Sequence, residues 1–419
     1  MISQNHMKRL SNAWRFKGNE LKYLREVLQS GLSGGPAGSM NARFEEAFAN
    51  EFGAKYAITT NSGTAALHQT LVAFGVGPGD EVITPPLTPF MCTSTILMAG
   101  AVPVYADVDP ETFLIDPKDI EKKITPRTKA IIAVHTYGGV CDMEAIMAIA
   151  TKHNIYVLED CAECFLGKDK KGRIAGTIGH AGTFSFQASK HMTTGDGGIV
   201  LTNDEQLAER IRKFGNHGFI NTKAGRRMVK AMKDVVQDPG YLRHNGLGFN
   251  YRFSEILAAV GLAQLERLDE FVEKRIKMAR EYAKAMRGVQ WLHPQKVATG
   301  EINSYFTYAV RLDERIDWRE FRKKYMEFGG DGIYAAWALA YREPAATTIS
   351  EEGRLFPDVP NQGKYLKGFL RDPECPNAER VQPRILQFTT NQQTAGERAA
   401  QVAALKKTIA FFESRPEFA

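Results

Sequence analysis

Cysteine is scarce. The 419 residues carry five, Cys92, Cys141, Cys161, Cys164 and Cys375. An odd, scattered set of that size does not look like a disulfide framework. Cys161 and Cys164 form a Cys-x-x-Cys, but no second Cys or His pair lies nearby at zinc spacing, so no metal is expected. Long apolar runs are absent, which leaves no helix able to span a membrane. The start, Met1-Ile2-Ser3-Gln4-Asn5-His6, lacks the apolar core of a secretion signal, and a cytoplasmic protein is the expectation. Extreme charge is absent too. Lys and Arg number 54 against 48 Asp and Glu, a net charge of +6. So small and dispersed a surplus does not suit nucleic acid, and it mildly favours an anionic substrate such as a phosphate ester. No tandem repeat or low-complexity tract occurs.

What is present is alternation. A helix is expected over Glu20–Ser30 with Leu21, Leu24, Val27 and Leu28 on one face. A glycine-rich loop, Gly31-Leu32-Ser33-Gly34-Gly35-Pro36, follows. The next helix is expected over Met40–Phe52, with Phe44, Ala47, Phe48 and Phe52 on one face and Gly53 as its stop. Strands are expected at Tyr56–Thr60, Glu81–Thr84, Val102–Ala106, Ala130–Val134 and Ile155–Leu158, mostly separated by helices such as Met143–His153. That order predicts an α/β fold, a mainly parallel sheet covered by helices on both faces. In such sheets ligands bind at the carboxyl ends of strands. Farther on, a long helix is expected over Glu255–Lys274 with Ser254 as N-cap. From about Arg280 a smaller α+β part carries β-like runs at 306–310 and 384–388 and a last helix, Ala395–Phe412.

Several stretches point to chemistry. Tyr56–Thr60 runs into Asn61-Ser62-Gly63-Thr64-Ala65-Ala66-Leu67, a turn at a helix N-terminus where free N–H groups favour a phosphate. The plain alternative is an N-cap by Ser62 or Thr64. Asp160 closes the apolar strand Val157-Leu158-Glu159, and either meets a ligand or caps the next turn. His135, at another strand end, reads as a satisfied core histidine. Lys168-Asp169-Lys170-Lys171-Gly172-Arg173 reads as an exposed hairpin tip. The segment 221–247 is basic, with Lys223, Arg226, Arg227, Lys230, Lys233 and Arg243. It is either a loop meeting an anion or a partner subunit, or a solvated helix face. Finally, Lys190 follows the strand Thr183–Phe186 and precedes Thr193-Thr194-Gly195-Asp196-Gly197-Gly198 and a second strand, Gly198–Thr202. A desolvated lysine amine loses its proton readily and can form a Schiff base with an aldehyde; the plain alternative is a lysine in an exposed turn.

Together these residues resemble the DegT-type sugar aminotransferases, which use pyridoxal phosphate on the fold type I scaffold. The resemblance is strong from about Gly31 to Glu270. It rests on Ser62-Gly63-Thr64-Ala65-Ala66-Leu67, Glu159-Asp160-Cys161-Ala162, Ser185-Phe186, Lys190 before Thr194-Gly195-Asp196-Gly197-Gly198, and Asn250-Tyr251-Arg252. It implies that Lys190 bonds the cofactor aldehyde and that Asp160 pairs with the pyridinium nitrogen. It implies that Ser62, Gly63, Thr64 and Ser185 hold the phosphate, with Asn250 reaching in from the other subunit of a homodimer. A large cofactor-binding domain, 1–275, and a small C-terminal domain, 276–419, are expected from it. Two positions depart from the family. Glu163 stands where a Gln usually meets the phenolic oxygen, and Pro89-Phe90 follow Thr88 where a single aromatic covers the ring, so that Phe90 or Pro89 takes that place. The activity implied is amino transfer from glutamate or glutamine to a keto-sugar, nucleotide-linked, or else to a carbocyclic ketone. A sugar dehydratase would carry histidine at the lysine position, and Lys190, despite the adjacent His191, argues against it. A non-catalytic regulator on the same scaffold is a further alternative.

Overall fold

The computed structural model describes residues 14–32, 39–225, 233–356, 358–359, 363–370 and 373–415. The expected loop at 33–36 and the basic residues Arg226, Arg227 and Lys230, with the side chain of Lys233, lie outside the described residues. Eleven described strands form two sheets. β1 (Tyr56–Thr60), β2 (Glu81–Thr84), β3 (Val102–Tyr105), β4 (Thr128–Val134), β5 (Tyr156–Asp160), β6 (Ala181–Ser185) and β7 (Gly198–Thr202) make a seven-stranded sheet of order β1-β7-β6-β5-β4-β2-β3. β8 (Leu292–Pro294), β9 (Thr307–Leu312), β10 (Ile333–Ala335) and β11 (Ile385–Thr389) make a four-stranded sheet of order β10-β11-β9-β8. The expected α/β class with a smaller α+β part is the one observed. The chain divides into two compact units, Met1–Ala66 with Ser185–Phe271, and Leu67–Phe184 with Val272–Ala419.

In the first unit β1 and β7 pair antiparallel, Thr60 opposite Gly198. The Met40–Phe52 helix starts on Ser39, whose side chain accepts the Ala42 N–H, and stops at Gly53 in the left-handed conformation, φ 73°. Phe44, Phe48 and Phe52 are buried. Phe44 lies 5.4 Å from Phe186 and Phe48 stacks on Phe52 at 4.5 Å, ring centre to ring centre. Glu45 is buried on the same helix. It accepts from Thr59 N–H at 2.9 Å and Oγ1 at 2.7 Å and pairs with Arg212 at 3.0 Å, which satisfies a carboxylate that would otherwise oppose folding.

Two helix expectations need correction. The first helix spans Glu20–Gln29, but its buried residues are Glu20, Tyr23 and Val27, while Leu21 and Leu28 are 79% and 64% exposed. Glu20 turns inward because Oε1 accepts a hydrogen bond from Gln264 Nε2 at 2.8 Å, which rotates the leucines outward. The long helix is two helices, Glu255–Leu265 and Leu268–Ala285, with Ser254 capping the first as expected. At the joint the Arg267 N–H bonds the Gln264 carbonyl, three residues back, instead of continuing the four-residue pattern.

In the second unit β3, β2, β4, β5 and β6 run parallel, which puts the ends of β4 and β5 side by side, Val134 opposite Asp160. Every pairing in the four-stranded sheet is antiparallel. Its core joins Tyr282, Trp291, Phe321, Tyr325, Phe388 and Phe412. The Ala395–Glu413 helix closes over it, started by a reciprocal capping pair, Thr394 and Glu397. The expected hairpin at 167–176 is present, Lys168 bridging Ile174.

Candidate active site

The turn after β1 opens the Gly63–Ala73 helix. Ser62 Oγ accepts the Ala65 N–H at 3.0 Å, and the Ser62 carbonyl accepts the Ala66 N–H at 3.0 Å. Ser62 is therefore the N-cap, and the first-turn N–H groups of Gly63 and Thr64 have no intrahelical acceptor. Ser185, the last residue of β6, lies against this turn. A Cβ added at Gly63 would sit 2.7 Å from Ser185 Cβ and 3.1 Å from its Oγ, so only glycine fits. The two N–H groups, the helix dipole and a hydroxyl converge there, the arrangement that holds a phosphate. Asn250 follows in the same unit. Tyr251 O accepts the Asn61 N–H at 2.9 Å, and Asn250 Oδ1, on an exposed residue, accepts from Arg252 Nε at 3.0 Å.

Lys190 lies on a loop between β6 and β7. Phe186 N–H donates to Gly197 O at 2.8 Å, Thr194 N–H to Phe186 O at 3.0 Å and Thr193 Oγ1 to Phe186 O at 2.9 Å. Lys190 N–H closes a tighter turn onto Gln187 O at 3.0 Å. Phe186 and residues 191–194 are buried, residues 187–189 are exposed, and Lys190 between them is half-buried. The loop backbone is thus well bonded while the lysine sits at the border of solvent.

In the second unit Asp160 ends β5, 7% exposed. Its Oδ1 accepts the Ala162 N–H at 3.0 Å and its Oδ2 the Cys92 thiol at 3.3 Å. Burial pushes the Cys92 thiol well above its usual range, so it stays protonated and donates. Glu163, also 7% exposed, accepts the Tyr137 N–H on Oε2 at 2.9 Å, where Tyr137 holds the uncommon φ of 64°. Pro89 and Phe90 are both half-buried, and Phe90 packs beside Leu97, Ile349 and Leu366.

Glu159 has a part that its neighbour's prominence in the sequence hid. It is fully buried. Its Oε1 accepts Ile178 N–H at 2.7 Å and Gly179 N–H at 2.6 Å, and its Oε2 accepts Gly176 N–H at 2.8 Å and faces His135 Nε2 at 3.0 Å. His135 Nδ1 accepts the Cys141 N–H at 3.1 Å, so the ring proton is on Nε2 and donates to Glu159. His135 is the satisfied core histidine that the sequence suggested. Together they tie the end of β4, the end of β5 and the turn at 176–179 into one frame under Asp160. Ligand atoms of His135, Glu159 and Cys161 lie within 4.8 Å of one another, but a cation there would have to displace these bonds. Cys164 is pushed up to about 12 by burial and donates to Gly138 O at 3.3 Å, so the Cys-x-x-Cys is no thiolate pair. No signal in the sequence marks Glu159 beyond its place in the Glu159-Asp160-Cys161-Ala162 motif.

Comparison with known proteins places nearly the whole chain in one family. A profile described as the DegT/DnrJ/EryC1/StrS aminotransferase family matches residues 15–405. The chain is 41% identical over 302 residues, 72% of this chain and 76% of the relative, to a GDP-perosamine synthase of Caulobacter vibrioides. It is 40% identical over 299 residues, 71% of this chain and 74% of the relative, to the spore coat polysaccharide biosynthesis protein SpsC of Bacillus subtilis. Among solved structures, an aminotransferase from Psychrobacter cryohalolentis superposes with a TM-score of 0.79 at 30% identity, over 94% of this chain and 97% of that one.

Proposed function

We propose, from the premise that this chain belongs to the DegT/DnrJ/EryC1/StrS family and is a pyridoxal-phosphate-dependent sugar aminotransferase, that it moves an amino group from glutamate or glutamine to a nucleotide-linked keto-sugar. The observation that carries this reading is the 41% identity to a GDP-perosamine synthase in a chain that has Lys190 after β6. The net charge of +6 supports an anionic substrate.

The residues present suit the cofactor. The Gly63 turn leaves no space for a side chain but offers two N–H groups, and a carboxylate ends β5. When bound, pyridoxal phosphate supplies an aldehyde that carries the amino group and a ring that takes up electron density. The Gly63 and Thr64 N–H groups, Ser62 and Ser185 are assigned to its phosphate, with Asn250 serving the partner subunit's site. Asp160 holds the proton of the ring nitrogen. Glu163 is assigned to the phenolic side of the ring and Phe90 to its face. Lys190 Nζ holds the aldehyde and moves a proton at the substrate carbon that gains or loses nitrogen, as general acid and base. A homodimer is part of the same proposal. Leu242, Leu247 and Phe249, in the stretch before Asn250, are 78%, 97% and 51% exposed, apolar side chains that suit burial against a second copy. So is a division near residue 275, supported by the seven-stranded sheet ending at Thr202 and the four-stranded one starting at Leu292. Cytoplasmic residence is supported by five buried cysteines, all free. No described helix is long and apolar enough to cross a membrane.

Gly63→Ala tests the phosphate assignment. The new methyl group meets Ser185, and overpacking of this kind costs about 1–3 kcal/mol. Cofactor affinity, read by fluorescence titration, is expected to fall about tenfold, equivalent to about 1.4 kcal/mol. The substrate assignment is tested by loading the protein with the amine form of the cofactor and offering keto-sugar nucleotides and cyclic ketones. Conversion of the absorbance to that of the aldehyde form is expected with a keto-sugar nucleotide. Conversion by cyclic ketones alone would replace the substrate class, and conversion by no ketone or amino donor would favour a regulator.

A further inference from the structure

The geometry points to Arg15 as a positioning residue for Lys190, holding the backbone from which the lysine side chain departs. Arg15 is 7% exposed. Its Nη1 donates to the Ala188 carbonyl at 2.6 Å and its Nη2 to the carbonyl of Lys190 itself at 3.0 Å. Among the described residues no carboxylate pairs with this guanidinium. It also lies over the Trp14 ring, whose centre is 5.4 Å away. A buried cation with no counter-charge costs free energy, and neutral amide side chains would bind carbonyls with less. What arginine adds is a rigid fork whose two arms reach two acceptors at once.

The loop needs such a brace where Arg15 meets it. Residues 187–189 are exposed, so the bonds they make rather than burial hold them. The far half of the loop has its own bonds, through Thr193, Thr194 and Gly197. In the near half the Lys190 N–H bonds Gln187 O, Ser189 bonds the Gln187 side chain, and Gln187 is bridged to Gly195 across the loop. Arg15 ties that half to the rest of its unit. It is anchored in turn, for its carbonyl accepts Gln264 Nε2 at 2.6 Å and Arg267 Nη1 at 3.1 Å. A path of direct bonds therefore runs from the end of the Glu255–Leu265 helix through Arg15 to Lys190. Displacing a reacting group by about 1 Å can cost on the order of 10²-fold in rate, so a brace on this carbonyl matters to turnover.

This inference rests on the reading of Lys190 as the cofactor lysine, and the test keeps the two apart. In the cofactor-free chain, amide hydrogen exchange at residues 187–191 is expected to quicken about tenfold in Arg15→Met, with β7 unchanged, as local opening without global unfolding. In the loaded enzyme kcat is expected to fall about 10- to 100-fold, with KM for the keto substrate within about threefold. Arg15→Lys, which keeps the charge without the fork, is expected to fall between, and it carries the comparison if Arg15→Met does not fold. Wild-type exchange at 187–191 with kcat within twofold would overturn the inference. So would faster exchange spread equally over β7 with kcat of the folded protein unchanged, because that describes general stability. Borohydride reduction of the loaded wild type tests the underlying reading separately. An adduct on the Lys190 peptide supports it, and an adduct on another peptide ends it whatever the exchange data show.

Discussion

Lys190→Ala is expected to lower amino-transfer turnover on the order of 10⁴-fold, the upper scale for a positioned acid-base group. The side chain is assigned two tasks, holding the aldehyde and moving the proton, and alanine does neither. The fold is expected to survive. Lys190 is half-buried, and its loop is closed by main-chain bonds from Phe186, Thr194 and Gly197, none of which uses the lysine side chain. Stability is therefore expected to change by about 1 kcal/mol. Lys190→Arg is expected to be as inactive as alanine, since a guanidinium keeps its proton. Single-turnover absorbance with an amino donor checks both. A Lys190→Ala protein that retained a hundredth of the wild-type rate, or still showed the band of a lysine-bonded cofactor, would remove Lys190 from the role assigned to it.

Asp160→Asn is expected to cost about 10³-fold in turnover, the scale of losing one preorganised electrostatic partner. It is not a silent isostere. The Asp160 oxygens accept one hydrogen bond each, from the Cys92 thiol and the Ala162 N–H. An asparagine keeps one oxygen for the Ala162 N–H and turns its NH2 group to the Cys92 sulfur, a weak acceptor whose own proton must then go to Thr88. Leaving one buried donor unsatisfied costs about 1–3 kcal/mol. Cys92→Ala is then expected to cost about 1 kcal/mol less in Asp160→Asn than in the wild type, because the bond from thiol to carboxylate is already gone in that background. The double variant's turnover is expected to stay low, because the charge is still missing. Thermal melts of the four proteins together with their rates separate the effects. An equal cost of Cys92→Ala in both backgrounds would show that the thiol does not hold the carboxylate, and near-wild-type turnover in either Asp160 variant would remove Asp160 from the proton-holding role.

Much of the fold was legible because local patterns and tertiary demands agree. Met40–Phe52 has its phenylalanines at helical spacing, a serine just before it and Gly53 after it, and it forms over those residues. Glu81–Thr84 and Gly198–Thr202 are short β-rich runs bounded by turns, and each is a strand as read. The Ser62-Gly63-Thr64 turn and Asp160 were visible as residue types at strand ends, and Lys190 as one in the connection between two strands, since chain order alone puts them there.

The rest depends on partners far away in sequence. The first helix carries a leucine stripe that any periodicity count would bury. It buries Glu20 instead, because Gln264, 244 positions later, supplies a hydrogen bond. Glu159 is held by donors from residues 135, 176, 178 and 179, which meet only once β4, β5 and the following turn are in register. Cys92 reaches Asp160 across 68 positions, and Arg15 reaches the Lys190 carbonyl across 175. Hydrophobic spacing and turn residues act within a few positions, so the strands, most helices and the reactive residue types can be read from the chain. How each reactive group is braced is set by directional bonds between distant segments, and those exist only after the apolar surfaces have packed.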